Sequence, residues 1–452
     1  MAKYKNTKQI AKSAKKEILD SKLHKYLIAI PLIALAIKFI TMGNIQAGAW
    51  FGADGENYTK GIDGLLKDGF FSEEPKLSYW PAGYPLLLWP IAVFSTAKFF
   101  YILSFLQSVF FGFATYFFTN KLRESSLKFL ALWASIIITI NPTLSLSTLS
   151  VGYEAPIAAC FMMIAGAILS TFDKPIDKKF WIVVASVGGW FALATFMQPR
   201  FLLIAISVAI LWALKVAGAK NRVRIAALIT AIMMVAPGIM IFRNSVAIDK
   251  ATISTNLGVT MNIGAGPETS GGYGRSGPEV PCEPKAPATT VSDNDLVICV
   301  LKWYVANPVD TARLTLTKSV LFWSPWSGPL SFNGTMGRNP WLLISPIQEV
   351  STNSIFGQKL IIGPVGTFTS YAWLFGQVLL IFVGYRSLRK LDGFEKFFAQ
   401  IVMVPVVLSW LISIGTIGDH RFRVPTMSMS LFLQVAAFLA IRKKLREKQT
   451  NS

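Results

Sequence analysis

The chain has 452 residues, of which 53% are hydrophobic and 15% charged, with a mean hydropathy of +0.48 and a formal net charge of +20. Soluble domains carry about 25% charged residues, so this deficit excludes an ordinary soluble fold and predicts an all-α polytopic membrane protein. The excess Lys and Arg gather in the end segments and in loops between apolar runs, the positive-inside bias that orients membrane proteins, and no nucleic-acid-binding module is legible.

Residues 1–25 read as a cytoplasmic basic segment, with Ile10, Ala14, Ile18 and Leu23 at roughly helical spacing, suited to an anionic inner leaflet. Ten apolar runs follow, at 26–42, 99–118, 129–142, 155–171, 180–197, 201–214, 225–242, 371–385, 397–417 and 424–441. They are read as about ten transmembrane helices across a core about 30 Å thick. The loops holding Lys121 and Arg123, Lys174 and Lys178, Lys220 and Arg222, and Arg386 and Arg389 are all basic, which puts both termini in the cytoplasm. The division expected is a transmembrane module at 26–245 with a first external loop at 44–84, an external loop module at 246–363, C-terminal transmembrane helices at 364–442 and a cytoplasmic tail at 443–452.

The first external loop carries Asp54, Glu56, Tyr58, Asp63 and Asp68, then Trp80-Pro81-Ala82-Gly83-Tyr84-Pro85 returns it to the membrane. A short interfacial helix is expected around Gly61 to Leu66. Lys38, inside the first run, either snorkels or faces the bundle. Cys160 is read as a core residue. Cys282 and Cys299 share the 246–363 segment and are either a disulfide on an oxidising side or two separate thiols. That segment is rich in Gly, Pro, Ser and Thr, with helical spacing at 296–307 and 309–323, and Trp323, Pro325 and Trp326 read as interfacial.

The polar residues of the outer face fall at the ends of runs: Asp54 and Glu56 after the first, Glu154 before the fourth, Arg200 at the sixth, and Asp419, His420, Arg421 and Arg423 before the last. Ionisable groups at such positions are functional candidates. Carboxylates and guanidiniums together suit transfer of a sugar from a lipid phosphate to a hydroxyl. A carboxylate takes the hydroxyl proton, and arginine stabilises the departing phosphate with permanently charged, bidentate donors. No P-loop or dinucleotide fingerprint is present, and two histidines, one of them His24 inside, support no metal site. The plain alternatives are helix capping for Asp54 and Glu154 and headgroup anchoring for the arginines.

Four stretches, in order, resemble the GT-C superfamily of glycosyltransferases, in particular its protein O-mannosyltransferase and aminoarabinose transferase branch. They are Asp54-Gly55-Glu56-Asn57-Tyr58 with the Trp80–Pro85 turn; Gly152-Tyr153-Glu154-Ala155-Pro156; Ser254-Thr255-Asn256-Leu257-Gly258 through Gly264, with Pro267, Gly271 and Gly272; and Arg421-Phe422-Arg423-Val424-Pro425. The chain departs from that pattern in three places. Gln198-Pro199-Arg200 stands where the family often has Arg-Pro, Gly264-Ala265-Gly266-Pro267 lacks two asparagines, and Gly55 separates two acids that are adjacent in eukaryotic members.

The resemblance implies a glycosyltransferase with a polyprenyl-phosphate-sugar donor, a protein, glycan or lipid acceptor and no cofactor, while the basic, multi-span chain without mitochondrial features suggests the bacterial plasma membrane, with the site on the external face. It implies Asp54 as base with Glu56 beside it, and substrate contacts from Tyr58, Tyr84, Glu154, Arg200, Asn256, Asp419, His420, Arg421 and Arg423. A lipid-linked glycan flippase, a glycan ligase or polymerase, and a non-catalytic scaffold are the competing classes.

Overall fold

A computed structural model describes residues 2–41, 54–172, 174–216, 218–267, 269–272, 282, 292–324, 364–391 and 393–450. The described residues form helices and turns, with no strand among them. Helix α1 (Ala2–Thr41) is followed by α2 (Gly55–Asp68), α3 (Lys76–Tyr79) and α4 (Gly83–Phe94) of the first loop and its return. Then come α5 (Phe99–Arg123), α6 (Lys128–Ile140), α7 (Pro142–Leu146), α8 (Glu154–Ser170), α9 (Lys178–Met197), α10 (Leu202–Lys215) and α11 (Ala219–Ala247). Three further helices, α12 (Leu257–Ile263), α13 (Asp293–Ala306) and α14 (Pro308–Trp323), precede α15 (Pro364–Arg389), α16 (Phe394–Gly415) and α17 (Val424–Thr450).

Each of the ten apolar runs lies on one of these helices, but fewer meet the length of a membrane crossing. Seven do: Asp20–Ile40, Phe99–Arg123, Lys178–Met197, Lys220–Ala247, Tyr371–Arg389, Phe394–Gly415 and His420–Glu447. An eighth forms if α6 and Thr143–Leu149, bent by 66° from it, count as one span. The bend follows from Asn141-Pro142: the Asn141 side chain caps α7 through the Leu144 amide and Pro142 opens the new helix. At 17 and 14 residues, α8 and α10 are shorter. The chain is a multi-pass integral membrane protein.

Helix α8 is the core of the bundle, buried from Glu154 through Leu169 and packed by α5, α9 and α17. Lipid tails are as apolar as leucine, so helices associate in membranes by close packing of small residues. Ala155, Ala158, Ala159, Ala165, Gly166 and Ala167 supply that surface on α8. Gly384 does the same where α15 crosses α17, since a Cβ there would collide with the Leu433 carbonyl. Lys38 faces the bundle, donating to Thr148 Oγ1 at 3.0 Å with its ammonium 5.3 Å from the Phe111 ring centroid.

The described part of the 246–363 segment is tied down by polar contacts. Cys282 and Cys299 form a disulfide, which settles the open alternative. Asp293, at the start of α13, accepts from the Gly258 and Leu257 amides at 2.7 and 3.2 Å and so caps α12 as well. Arg313 donates to the carbonyls of Thr269 and Pro267 at 3.1 and 2.5 Å. Fully buried Lys318 donates to Tyr304 Oη, Ile414 O and Thr416 O at 2.8, 3.0 and 2.7 Å, fastening α14 to the end of α16. Trp323 is not interfacial but buried against Phe322 and Trp410. Pro325 and Trp326, like residues 44–53 of the first loop, lie outside the described residues.

Candidate active site at one end of the helix bundle

Three of the expected residues meet at one guanidinium. Arg421 lies on the 3-10 turn His420–Arg423 that leads into α17. Its Nη1 donates to Asp54 Oδ2 at 2.6 Å, and its Nε donates to Glu154 Oε1. The side chains of Arg421, Asp54 and Glu154 are 9, 20 and 11% exposed, so the cluster sits in a mostly closed pocket with Asp54 at its more open edge.

Asp54 holds the N-cap position of α2 yet makes no side-chain cap, and Glu154 opens α8 with its carboxylate turned to Arg421. Asn141, Asp177, Ser292 and Asp419 all cap their helices through their side chains in the usual way. The contrast removes the capping explanation for both acids. Gly152 lies directly against the Glu154 carboxylate, so a Cβ there would push that carboxylate aside.

An aromatic wall supports the cluster. Tyr58 on α2 meets Tyr84 edge-on at 5.1 Å and Tyr153 at 6.3 Å. Burial pushes the Tyr58 phenol well up, and Tyr153 and the Asp54 charge add to that, so Tyr58 stays a neutral wall group. The Tyr84 hydroxyl donates to Gln107 Oε1 at 3.3 Å and accepts from the Gly152 amide at 3.0 Å. Gln107 Nε2 in turn donates to the carbonyls of Thr148 and Ser150. Neither Tyr153 nor Gln107 was singled out from sequence. Gln107, a polar side chain inside an apolar run, was the findable one.

Arg200 completes the site. Its guanidinium lies 4.0 Å from the Phe422 ring centroid and 5.5 Å from that of Tyr153, and donates to the Tyr153 hydroxyl at 3.3 Å. Arg421 lies 5.3 Å from the same Tyr153 ring, so one ring serves both cations. Arg200 makes no ion pair among the described residues. It is half-buried.

Other expected residues are placed differently. Glu56 points to solvent and pairs with Lys60 at 2.8 Å, and that hydrogen bond and charge hold its carboxyl below the usual range. It is not beside Asp54 as a second acid. Arg423 is buried but turned away from the cluster, donating to Trp323 O, Ser324 O and Gln377 Oε1 at 2.9, 3.1 and 3.0 Å. It ties α17 to α14 and α15. Asp419 accepts from the Arg421 amide at 2.8 Å and lies 3.1 Å from His420 Nδ1, so the pair shapes the turn that presents Arg421. Asn256 stands at the start of α12, its carboxamide oxygen accepting from Ser254 Oγ at 3.4 Å. Among the described residues no group of three or more His, Cys, Asp or Glu is placed to hold a metal ion.

No protein-family model matches the chain. No curated protein matches it in sequence. Among solved structures it is similar to the oligosaccharyltransferase AglB of Archaeoglobus fulgidus in complex with an inhibitory peptide and a dolichol-phosphate, at 14% identity and a TM-score of 0.48, over 96% of this chain and 52% of that one. It is similar also to the A. fulgidus oligosaccharyltransferase tethered with an acceptor peptide (14% identity, TM-score 0.49, 94% of this chain and 51% of that one) and to its complex with zinc and sulfate (13%, 0.47, 92% and 49%). The chain spans about half the length of these structures.

Proposed function

We propose that the chain is a membrane glycosyltransferase of the GT-C type, moving a monosaccharide from a polyprenyl-phosphate-linked donor to a hydroxyl of a protein, glycan or glycolipid acceptor. The observation that carries the reading is the junction of Asp54 and Glu154 on Arg421, across 367 and 267 positions of sequence. A bundle that brings two acids and a guanidinium to one edge, with a second guanidinium beside them, has the charges that sugar transfer from a phosphate needs.

In this mechanism Asp54 accepts the proton of the acceptor hydroxyl as that oxygen attacks the anomeric carbon. The new carbon–oxygen bond forms as the bond from the anomeric carbon to the phosphate oxygen breaks on the opposite side, so the configuration inverts. The electron pair leaves with the lipid phosphate, whose added charge Arg200 and Arg421 stabilise. Glu154 holds Arg421 in place. Tyr58, Tyr84 and Tyr153 exclude water from one side. Energy comes from the bond to phosphate, and no cofactor enters.

In this reading residues 1–25 and 443–452 are cytoplasmic, the membrane is the bacterial plasma membrane, and the site opens to the external face. The disulfide Cys282–Cys299 supports that orientation, since disulfides persist on the oxidising side. The 246–363 segment, which carries α12 to α14, selects the acceptor.

The test is transfer from a polyprenyl-phosphate monosaccharide by the purified chain. Asp54→Asn is expected to insert and fold normally while losing transfer by about three orders of magnitude, the scale of a lost general base with its geometry. Near-normal transfer by this variant removes Asp54 as base.

A further inference from the structure

We infer that the Asp54–Arg421 ion pair is a latch opened by the donor's own phosphate, so that the base is released only once the leaving group is seated. The inference rests on the reading above and adds how the site is regulated. Asp54 Oδ2 is engaged by Arg421 Nη1 at 2.6 Å, so this oxygen must leave the guanidinium before it can meet an acceptor hydroxyl.

The two acids grip Arg421 unequally. Glu154 is fixed at the first position of α8, packed against Gly152, and 11% exposed. Asp54 is 20% exposed and stands in the turn just before α2 without a cap bond to hold its carboxylate. Asp54 is therefore the exchangeable partner. The place from which it can be exchanged is Arg200, held against Phe422 and on the same Tyr153 ring as Arg421.

A phosphodiester carries one negative charge on two non-bridging oxygens. In the latch, one oxygen is seated on Arg200 and the other on Arg421, where it takes the Nη1 donor from Asp54. The freed carboxylate turns to the acceptor hydroxyl. After transfer, Asp54 holds the hydroxyl's proton and the lipid phosphate holds the released electron pair. Loss of that proton to water restores the Asp54–Arg421 pair and expels the lipid phosphate.

The latch makes Asp54 a competitor of the phosphate, and this separates it from a simple base. The test measures binding of a short-chain polyprenyl phosphate to the full-length chain in nanodiscs of neutral lipid, for the wild type and for Asp54→Asn, Asp54→Ala and Arg200→Gln. Inorganic phosphate and phosphatidylglycerol serve as parallel probes. Both Asp54 variants are expected to bind the polyprenyl phosphate about tenfold or more tighter than the wild type, and Arg200→Gln about tenfold weaker. The same tightening with inorganic phosphate supports exchange at the phosphate itself.

If both Asp54 variants, eluting as folded monodisperse protein, bind no tighter than a wild type that transfers sugar, the latch is overturned and the glycosyltransferase reading stands. If neither the wild type nor any variant binds polyprenyl phosphate saturably, both fall. If phosphatidylglycerol binds as tightly as polyprenyl phosphate and shows the same tightening, the site is a general headgroup site and the latch is overturned.

Discussion

The Tyr84 hydroxyl joins α4 to residues 147–153, the strap that delivers Glu154: it accepts from the Gly152 amide at 3.0 Å and donates to Gln107 at 3.3 Å. Gln107, Ser104 and Ser108 share one face of α5 and bond to the strap at Ser150, Leu149 and Thr148, while Lys38 reaches Thr148 from α1. The strap is thus held by side chains from three helices, two residues ahead of the glutamate.

Tyr84→Phe leaves a buried Gly152 amide without its acceptor, a cost of about 1–3 kcal/mol. Because the strap carries Glu154, the cost is expected in the chemistry: kcat falls about tenfold, while KM for the donor moves little. Gln107→Leu is expected to do the same, and the double variant to be no worse than the more impaired single one, since both cut one chain of bonds. Steady-state kinetics on the folded fraction decides this. Losses that multiply in the double variant, or that appear only as less folded protein, remove the positioning role.

Glu56 and Glu154 are the two acids flanking the site in sequence terms, and they are expected to behave oppositely. Glu56→Gln removes only a solvent-exposed pair with Lys60 and should leave transfer within about twofold. Glu154→Gln removes a mostly buried partner of Arg421 and should lower kcat on the order of a hundredfold, as the guanidinium loses its fixed geometry. Arg423→Gln is expected to lower thermal stability in detergent while the kcat of the surviving folded protein stays within about twofold, because its bonds go to Trp323, Ser324 and Gln377. Equal kinetic losses in all three variants remove this assignment.

The placement of Glu56 and Arg423 also shows where the sequence stops being readable. Asp54, Glu154, Arg200 and Arg421 could be found because each is a charge at the end of an apolar run, where it has to be compensated. Glu56 and Arg423 share that location but lie two residues beyond a site residue, one in the first turn of α2 and one in a 3-10 turn. Helical residues two apart do not face each other, so the second of each pair turns away.

The same difficulty applies to Arg243, which directly follows the seventh apolar run. It is fully buried among the carbonyls of Phe70, Ser72 and Leu77, a cage no pattern of side chains announces. The helical character of all ten runs was legible from hydropathy. The Asn141-Pro142 bend and the short α10 were not, because membrane crossing depends on uninterrupted length, which caps and prolines decide locally.

Lys318 allows a test of how α13 and α14 are held, by pH alone. Burial holds its ammonium down to about 7, from an ordinary 10.5. Its surroundings accept either form: the ammonium donates to Tyr304 Oη and two carbonyls, while the neutral amine donates to the carbonyls and receives the Tyr304 hydroxyl. Between pH 7 and 10.5 the unfolded chain binds this proton and the folded chain does not, so stability contributed by the site rises with pH across that window and is absent below it. Burial also pushes the Tyr304 phenol up to about 12, so that group stays neutral in the folded chain throughout the range used. The melting temperature of the wild type in detergent is expected to climb more steeply from pH 7.5 to 9.5 than that of Lys318→Met. The variant itself should melt several degrees lower, having lost the tie between α14 and the end of α16. Parallel pH profiles for the two proteins would mean that Lys318 keeps its proton in the folded state across this range.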